Sequence, residues 1–360
     1  MNITQRIEAF VSLGMFLEQF SQTDSIQKQH PLNKKFYDEF QHTIDKVSRE
    51  NLWFTPEHVC SSILGITKFL QPDTLKEWIG KYPVSEESTG HRIAVIMAGN
   101  IPMVGFHDML CVLMTGHSFV GKLSSKDNQL LDMVTKILQE LNPEFKELIS
   151  FRESRLSGEK DFEAIIATGS NNSARYFEAY FGKYPHIIRR NRNSIAVISG
   201  NETKEELEAL GRDIFLYFGL GCRNVSKLLL PENYDFNQLF PSWEKYAGII
   251  DHNKYANNYD YNKSLFLMNQ EKHFDNGFVL LKENKALTSP IGVVFYEYYS
   301  DINNSIKKLE EEKEQIQCIV GNPQIIPMAI PYGKAQEPEL WDYADKVDTM
   351  EFLTSFSKQL

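Results

Sequence analysis

From Ile93 onward the chain repeats one pattern: a short apolar run, a glycine or polar turn, then a stretch with helical spacing. The runs are Ile93 to Gly99, Ser118 to Lys122, Leu148 to Phe151 and Ala164 to Gly169, and helices are expected at Met103 to Thr115, Asn128 to Leu141 and Asn171 to Phe181. Strands apolar on both faces need cover on both faces, which a parallel sheet between helical layers provides. The pattern resumes with a strand at Ser194 to Ile198, a helix at Lys204 to Phe218, and strands at Val225 to Leu230, Gly292 to Tyr299 and Ile316 to Val320. The acidic helix Ile302 to Gln315 carries the run Glu310 to Glu314, read as a solvated face. The Asn- and Tyr-rich stretch Tyr255 to Tyr261 reads as an irregular loop. Before all this, Ile7, Phe10, Val11, Phe16, Leu17 and Phe20 keep helical spacing, and Thr55-Pro56-Glu57 reads as an N-cap with Pro at N1, so the first 80 or so residues are expected to be helical.

A chain of 360 residues is long enough for about two domains. With 48 acidic against 38 basic residues, its net charge of −10 disfavours a nucleic-acid partner. Cys60, Cys111, Cys222 and Cys318 stand far apart with no CxxC pair, which supports neither a zinc site nor a disulfide scaffold and fits a reducing cytoplasm. No metal is expected. The residues from Met1 to Phe20 are amphipathic and lack the pattern of a signal peptide, and no window approaches ~18 consecutive apolar residues, so no membrane span is expected.

Five short segments could carry chemistry. In Phe218-Gly219-Leu220-Gly221-Cys222-Arg223-Asn224, two glycines precede a cysteine between a helix and a strand. Either Cys222 is presented at the turn, with Arg223 favouring its thiolate, or it is one more buried small hydrophobe. The other three cysteines sit in apolar periodic contexts and read as buried. Asn100, in Gly99-Asn100-Ile101-Pro102 at a strand end, is either an amide donor for a developing oxyanion or a plain turn residue. Lys122, followed by Ser124, Ser125 and Lys126, suits a ribose or phosphate, although strand-end lysines are common. Thr168, Gly169 and Ser170 open a helix whose N-terminus could approach a phosphate, without the spacing of a Rossmann or P-loop motif. Arg189-Arg190-Asn191-Arg192 reads as a solvated turn or as a phosphate site for CoA or a cofactor.

Taken in order, these segments resemble the aldehyde dehydrogenase superfamily, most closely its fatty acyl-CoA reductase branch of the bioluminescence type. Gly99 to Pro102 is similar to the family's Asn-Phe-Pro turn, Gly116 to Lys122 to its strand ending in Lys-Pro-Ser, Thr168 to Ser170 to its Phe-Thr-Gly-Ser turn, and Phe218 to Cys222 to its Gly-Gln-x-Cys segment. The similarity spans roughly residues 93 to 292. It implies an α/β fold of two parallel-sheet domains of aldehyde dehydrogenase type with an N-terminal helical segment: helical segment 1–82, nicotinamide-cofactor domain 83–192 to which 325–360 returns, and catalytic domain 193–324. It implies Cys222 as nucleophile and Asn100 with the Cys222 N–H as oxyanion hole. Lys122, Ser124, Ser125, Thr168, Gly169 and Ser170 would then bind the cofactor.

Two departures refine the expectation. Where hydrolytic members keep Glu-Leu-Gly-Gly, with a water-activating Glu, this chain has Arg189-Arg190-Asn191-Arg192. Without that carboxylate an acyl-enzyme should discharge by hydride transfer or to a thiol, as in CoA-dependent members. Ser289 takes the place of the Glu that holds the nicotinamide ribose, and Ser125 and Lys126 stand where NAD-preferring members often carry an acid, which favours NADPH over NADH. The resemblance thus implies an acyl-CoA reductase that makes an aldehyde, with fatty acyl substrates. An acyl-phosphate reductase and a non-catalytic acyl-binding subunit remain alternatives, and there is room for an acyl-activating synthetase partner and for a homo-oligomer.

Overall fold

The computed structural model describes residues 1–24, 26–87, 90–152, 156 and 161–356. The chain divides into two units, one formed by residues 1–190 and 339–360 and the other by residues 191–338.

The first unit opens with four helices, α1 (Ile3–Leu17), α2 (Asn33–Glu50), α3 (Pro56–Phe69) and α4 (Pro72–Ile79). An Asn2–Gln5 capping box starts α1, and Thr55 accepts from the His58 N–H to start α3 with Pro56 in its first turn. The strands β1 (Arg92–Ile96), β2 (Ser118–Lys122), β3 (Ile149–Phe151), β4 (Ala164–Thr168) and β5 (His186–Arg189) form one all-parallel sheet in the order β3-β2-β1-β4-β5. Connecting them are α5 (Phe106–Met114), α6 (Leu130–Leu141), α7 (Phe145–Leu148) and α8 (Asn171–Phe181). Ile93 and Val95 point into a large cluster with Phe10, Phe40, Trp78 and Met109, while Ala94 points to the other face with Ile165, Phe162 and Phe181. Burial on both faces is why these strands read as unbroken apolar runs. Strand order reverses between β1 and β4, and beside such a switch the strands' C-terminal ends form a crevice suited to ligands.

The second unit holds β6 (Asn193–Val197), β7 (Val225–Pro231), β8 (Phe274–Asp275), β9 (Leu280–Glu283), β10 (Val293–Tyr299) and β11 (Ile316–Val320), in the order β11-β6-β7-β10-β9-β8, parallel except for β8. Its helices are α9 (Lys204–Phe215), α10 (Leu239–Trp243), α11 (Asn253–Met268) and α12 (Ile302–Glu311). A Thr203–Glu206 capping box starts α9. The fold is thus α/β, two parallel-sheet units with helices at the N-terminus.

Four local expectations are corrected. Residues 255 to 261 are helical: Tyr255, Tyr259, Asn262 and Phe266 recur at spacings of four, three and four on a buried face of α11, and the remaining Asn and Asp residues occupy its outer positions. The helix begun at Lys204 ends at Phe215, because Tyr217 and Phe218 both take φ of 56°. Arg189 is no solvated turn residue. It ends β5 in the interior, where its guanidinium grips Asp108 of α5 at 2.5 and 2.8 Å and donates to the Thr349 hydroxyl at 2.9 Å. The run Glu310 to Glu314 stays largely exposed, but the helix ends at Glu311, four residues before Gln315, so Glu312 to Glu314 lie in the turn that follows it.

Candidate active-site elements

In the second unit, the thiol of interest sits on a turn built under strain. After α9 the chain extends at Leu216, then takes three successive residues in the left-handed region: Tyr217 and Phe218, each at φ 56°, and Gly219 at φ 75°. Left-handed geometry costs roughly 1–2 kcal/mol at a residue bearing a Cβ, so Tyr217 and Phe218 must be held by their surroundings. Tyr217 is buried, and Phe218 stacks on the His252 ring at 4.2 Å. The turn then delivers Cys222 to an exposed position, whereas Cys60, Cys111 and Cys318 are buried. Burial pushes the Cys60 thiol up to about 11 and the Cys111 thiol well above its ordinary range, which keeps both protonated and unreactive.

Asn224 fastens this turn. Its side-chain NH2 donates to the carbonyls of Asp213, Ile214 and Leu216, at 3.1, 3.2 and 2.7 Å, where α9 has run out of backbone donors. Its side-chain oxygen accepts the Gly221 N–H at 2.8 Å. One buried amide therefore joins the end of α9 to the residue before Cys222. Beneath it, the Asp213 carboxylate accepts N–H groups from Gly333 and Ala335 at 2.6 and 2.9 Å. Burial pushes this carboxyl up to about 7, against the opposing pull of those donors and of Arg212 and Arg223. Arg223, expected to favour the thiolate, donates its Nε–H to the Ala335 carbonyl. The Ser194 hydroxyl on β6 donates to the Cys222 carbonyl at 3.0 Å.

A crevice at the N-terminal ends of β7, β9 and β10 is lined by Phe218 and Gly219 from this turn, by Val225, by Tyr255, and by the turn Ser289–Gly292. The Ser289 hydroxyl donates to the Val293 carbonyl at 2.6 Å and so closes its own turn. Gly292 at φ 79° lies against Tyr259, where a Cβ would come within 3.0 Å of the backbone, so glycine is required there.

In the first unit the structure brings the other motifs together at one end of one sheet. Asn100 follows β1, Lys122 ends β2, and Thr168 ends β4; β1 lies between the other two, with Ile96 opposite both Lys122 and Ala167. Lys122, Ser124, Thr168 and Gly169 are half-buried, while Ser125 and Ser170 are exposed. Ser170 is the N-cap of α8, its hydroxyl accepting the Ser173 N–H at 3.2 Å. Gly169 lets that helix close on its own strand, since a Cβ there would meet Ser173 at 2.8 Å. An exposed helix N-terminus flanked by a strand-end lysine and hydroxyls fits the phosphates and ribose of a nucleotide.

Asn224, Asp213 and Asp127, a buried carboxylate described below, did not stand out in the sequence. A polar residue two positions after a turn cysteine is the one signal that could have marked Asn224.

No family model matches the chain, and no curated protein matches it in sequence. Solved structures do. Aldehyde dehydrogenase 21 from Physcomitrella patens, in complex with the reaction product succinate, aligns with a TM-score of 0.65 at 12% identity, covering 99% of this chain and 84% of its own. An aldehyde dehydrogenase of Bacillus cereus with NAD+ aligns with a TM-score of 0.60 at 12% identity, over 89% of this chain and 72% of that one. A Mycobacterium tuberculosis aldehyde dehydrogenase complexed with NAD+ gives a TM-score of 0.60 at 12% identity, over 89% and 77%. The fold is that of the aldehyde dehydrogenases. At such identity the chemistry must be argued from this chain's own residues.

Proposed function

We propose that the protein is an acyl-CoA reductase that forms a thioester on Cys222 and reduces it to an aldehyde with NADPH. The observation that carries this reading is the exposed Cys222 at the tip of a strained turn held by Asn224, in a chain with the aldehyde dehydrogenase fold. The Cys222 thiolate attacks the acyl carbonyl; the C–S bond to CoA breaks, and the CoA thiolate leaves and takes up a proton. By resemblance to the family, Asn100 and the Cys222 N–H would supply donors to the oxyanion, each such donor being worth ~10²–10³ in rate. Lys122, Ser124 and Ser125 hold the ribose end of the nucleotide, and the N-terminus of α8 at Thr168, Gly169 and Ser170 holds its pyrophosphate. A reduced nicotinamide held there would supply a hydride to the Cys222 thioester carbonyl, after which the C–S bond to Cys222 breaks, releasing the aldehyde and restoring the Cys222 thiolate. Ser125 and Lys126 suit a 2′-phosphate, which supports NADPH.

Neighbours solved with NAD+ support a nicotinamide nucleotide as the cofactor class. Arg189, at the position of the hydrolytic members' Glu-Leu-Gly-Gly segment, is committed to Asp108, which favours discharge by reduction over hydrolysis. Measuring NADPH oxidation with an acyl-CoA panel tests the proposal. Wild-type protein should turn over, and Cys222→Ala should not while still binding NADPH. Equal turnover in the two would overturn it. One observation favours a second reading, an acyl-binding subunit that reduces nothing: Ser289 donates to its own turn at the position where the family holds the ribose. Failure of wild-type protein to bind NADPH would select that reading.

A further inference from the structure

Asp127 is a buried carboxylate that the proposed chemistry leaves unused. It follows the Lys122–Lys126 turn and is 7% exposed. Its Oδ2 accepts the Met103 N–H at 2.6 Å, and its Oδ1, also buried, has no hydrogen-bond partner. Burial pushes the carboxyl up to about 6, against the pull of the Met103 donor.

Met103, at the other end of that bond, closes the turn that begins at Gly99 and carries Asn100, and it takes the left-handed φ of 54°. On its own side, the Asp127 N–H donates to the Ser124 carbonyl at 3.1 Å, and Ser124 and Asp127 form a short antiparallel bridge. The Ser124 hydroxyl accepts the Lys126 N–H at 3.3 Å. The two turns also touch directly: a Cβ on Gly99 would collide with the Ser124 side chain and come within 3.2 Å of Lys126. One half-satisfied carboxylate therefore joins the segment proposed to hold the nucleotide to the segment proposed to hold the oxyanion. A purely structural anchor would be expected to satisfy both oxygens. Here an unpartnered oxygen at one end and a left-handed methionine at the other store strain at both ends of a single bond.

We propose that Asp127 is a positioning residue that couples the two turns, so that nucleotide bound at Lys122, Ser124 and Ser125 orders the Asn100 turn for catalysis. This rests on the nucleotide reading given above. Occupancy at Lys122–Ser125 restrains Ser124, Ser124 fixes Asp127 through the bridge, and Asp127 fixes Met103 and with it the Gly99–Met103 turn. Such coupling requires that the bound nucleotide favour one arrangement of the paired turns over another.

Amide hydrogen exchange read by mass spectrometry, on the full chain with and without NADPH, tests this. In wild-type protein NADPH should slow exchange across residues 99–105 as well as across 122–129. Asp127→Ala should keep the protection at 122–129 and lose it at 99–105. Asp127→Asn should restore it, because the carboxamide oxygen still accepts from Met103. In steady-state assays Asp127→Ala should lower kcat about tenfold while the KM for NADPH changes less than about threefold, and Asp127→Asn should recover most of kcat. Protection at 99–105 that survives in Asp127→Ala overturns the coupling, as does wild-type protection confined to 122–129, a result that needs no variant to fold. Absence of NADPH protection anywhere overturns the nucleotide reading itself, and the coupling with it.

Discussion

Asp213 shows how much one buried carboxyl can weigh on the turn that carries Cys222. It is fully buried beneath Asn224, and its pKa rises from the ordinary 3.8 to about 7. A carboxyl raised on folding stabilises the native state below its unfolded pKa and loses that contribution as pH rises through its folded pKa. Wild-type protein should therefore lose stability relative to Asp213→Asn between about pH 4 and pH 7, by up to ~1.4 kcal/mol per pH unit. Urea midpoints of both proteins across that range check the prediction, and parallel profiles would contradict it. His117 has the opposite sign: burial lowers its pKa to about 4, so its contribution fades as pH falls below about 6.5, and the comparison between variants cancels it. The turn carrying Cys222 was marked in the sequence by the two glycines before it, which left open whether the thiol is presented or buried; the structure exposes it. Asn224 and Asp127 were not, since each acts through bonds to backbone groups that adjacency in sequence does not reveal as partners.

At the scale of elements, periodicity was informative where a strand or helix is buried on a regular face. The sequence marked β1, β2 and β4 as unbroken apolar runs, since both faces of each are buried, and α8 by the helical spacing of Ala174, Phe177 and Phe181. It missed α11, whose buried face uses Tyr and Asn in place of aliphatic residues, and it ran α9 three residues too far, because the left-handed Tyr217 and Phe218 are set by packing and leave no mark in composition. Ser170 offers a test that separates cap from ligand. Ser170→Ala removes the hydroxyl acceptor at the start of α8 and should cost about 1 kcal/mol of stability with a modest loss of NADPH affinity. Ser170→Asp keeps a capping oxygen but places negative charge where the pyrophosphate is proposed to bind. It should retain near-wild-type stability and weaken NADPH at least about tenfold. Urea denaturation and fluorescence titration separate the two effects, and unchanged affinity in Ser170→Asp would remove α8 from the nucleotide site.

At the scale of the whole molecule, the chain leaves the first unit at Arg190 and returns to it at Glu339. The return is secured by polar side chains that lie more than 230 positions from their partners: His107 bonds the Leu340 carbonyl at 2.8 Å, Trp78 donates to the Tyr343 hydroxyl at 2.7 Å, and His117 bonds the Leu353 carbonyl at 3.1 Å. Arg189 adds a charged tie, joining β5 to α5 and, 160 positions on, to Thr349 of the last helix. Removing one partner of a buried ion pair strands the other. Arg189→Met should therefore destabilise the first unit by roughly 3–5 kcal/mol, seen as a lower urea midpoint, whereas exposed Arg190→Met should change it by less than about 1 kcal/mol. Contacts between residues so distant in sequence are invisible to local pattern, which is why Arg189 read, with Arg190 to Arg192, as part of a solvated turn or a phosphate site, although Arg190 and Asn191 are exposed.

Intact-mass spectrometry of the protein mixed with a series of acyl-CoAs shows whether Cys222 carries the acyl group, as proposed. Wild-type protein should gain the mass of one acyl group, a gain absent in Cys222→Ala and lost when NADPH is added, with release of the matching aldehyde. No adduct on the wild-type protein, or an adduct that persists undiminished in Cys222→Ala, would contradict that proposal.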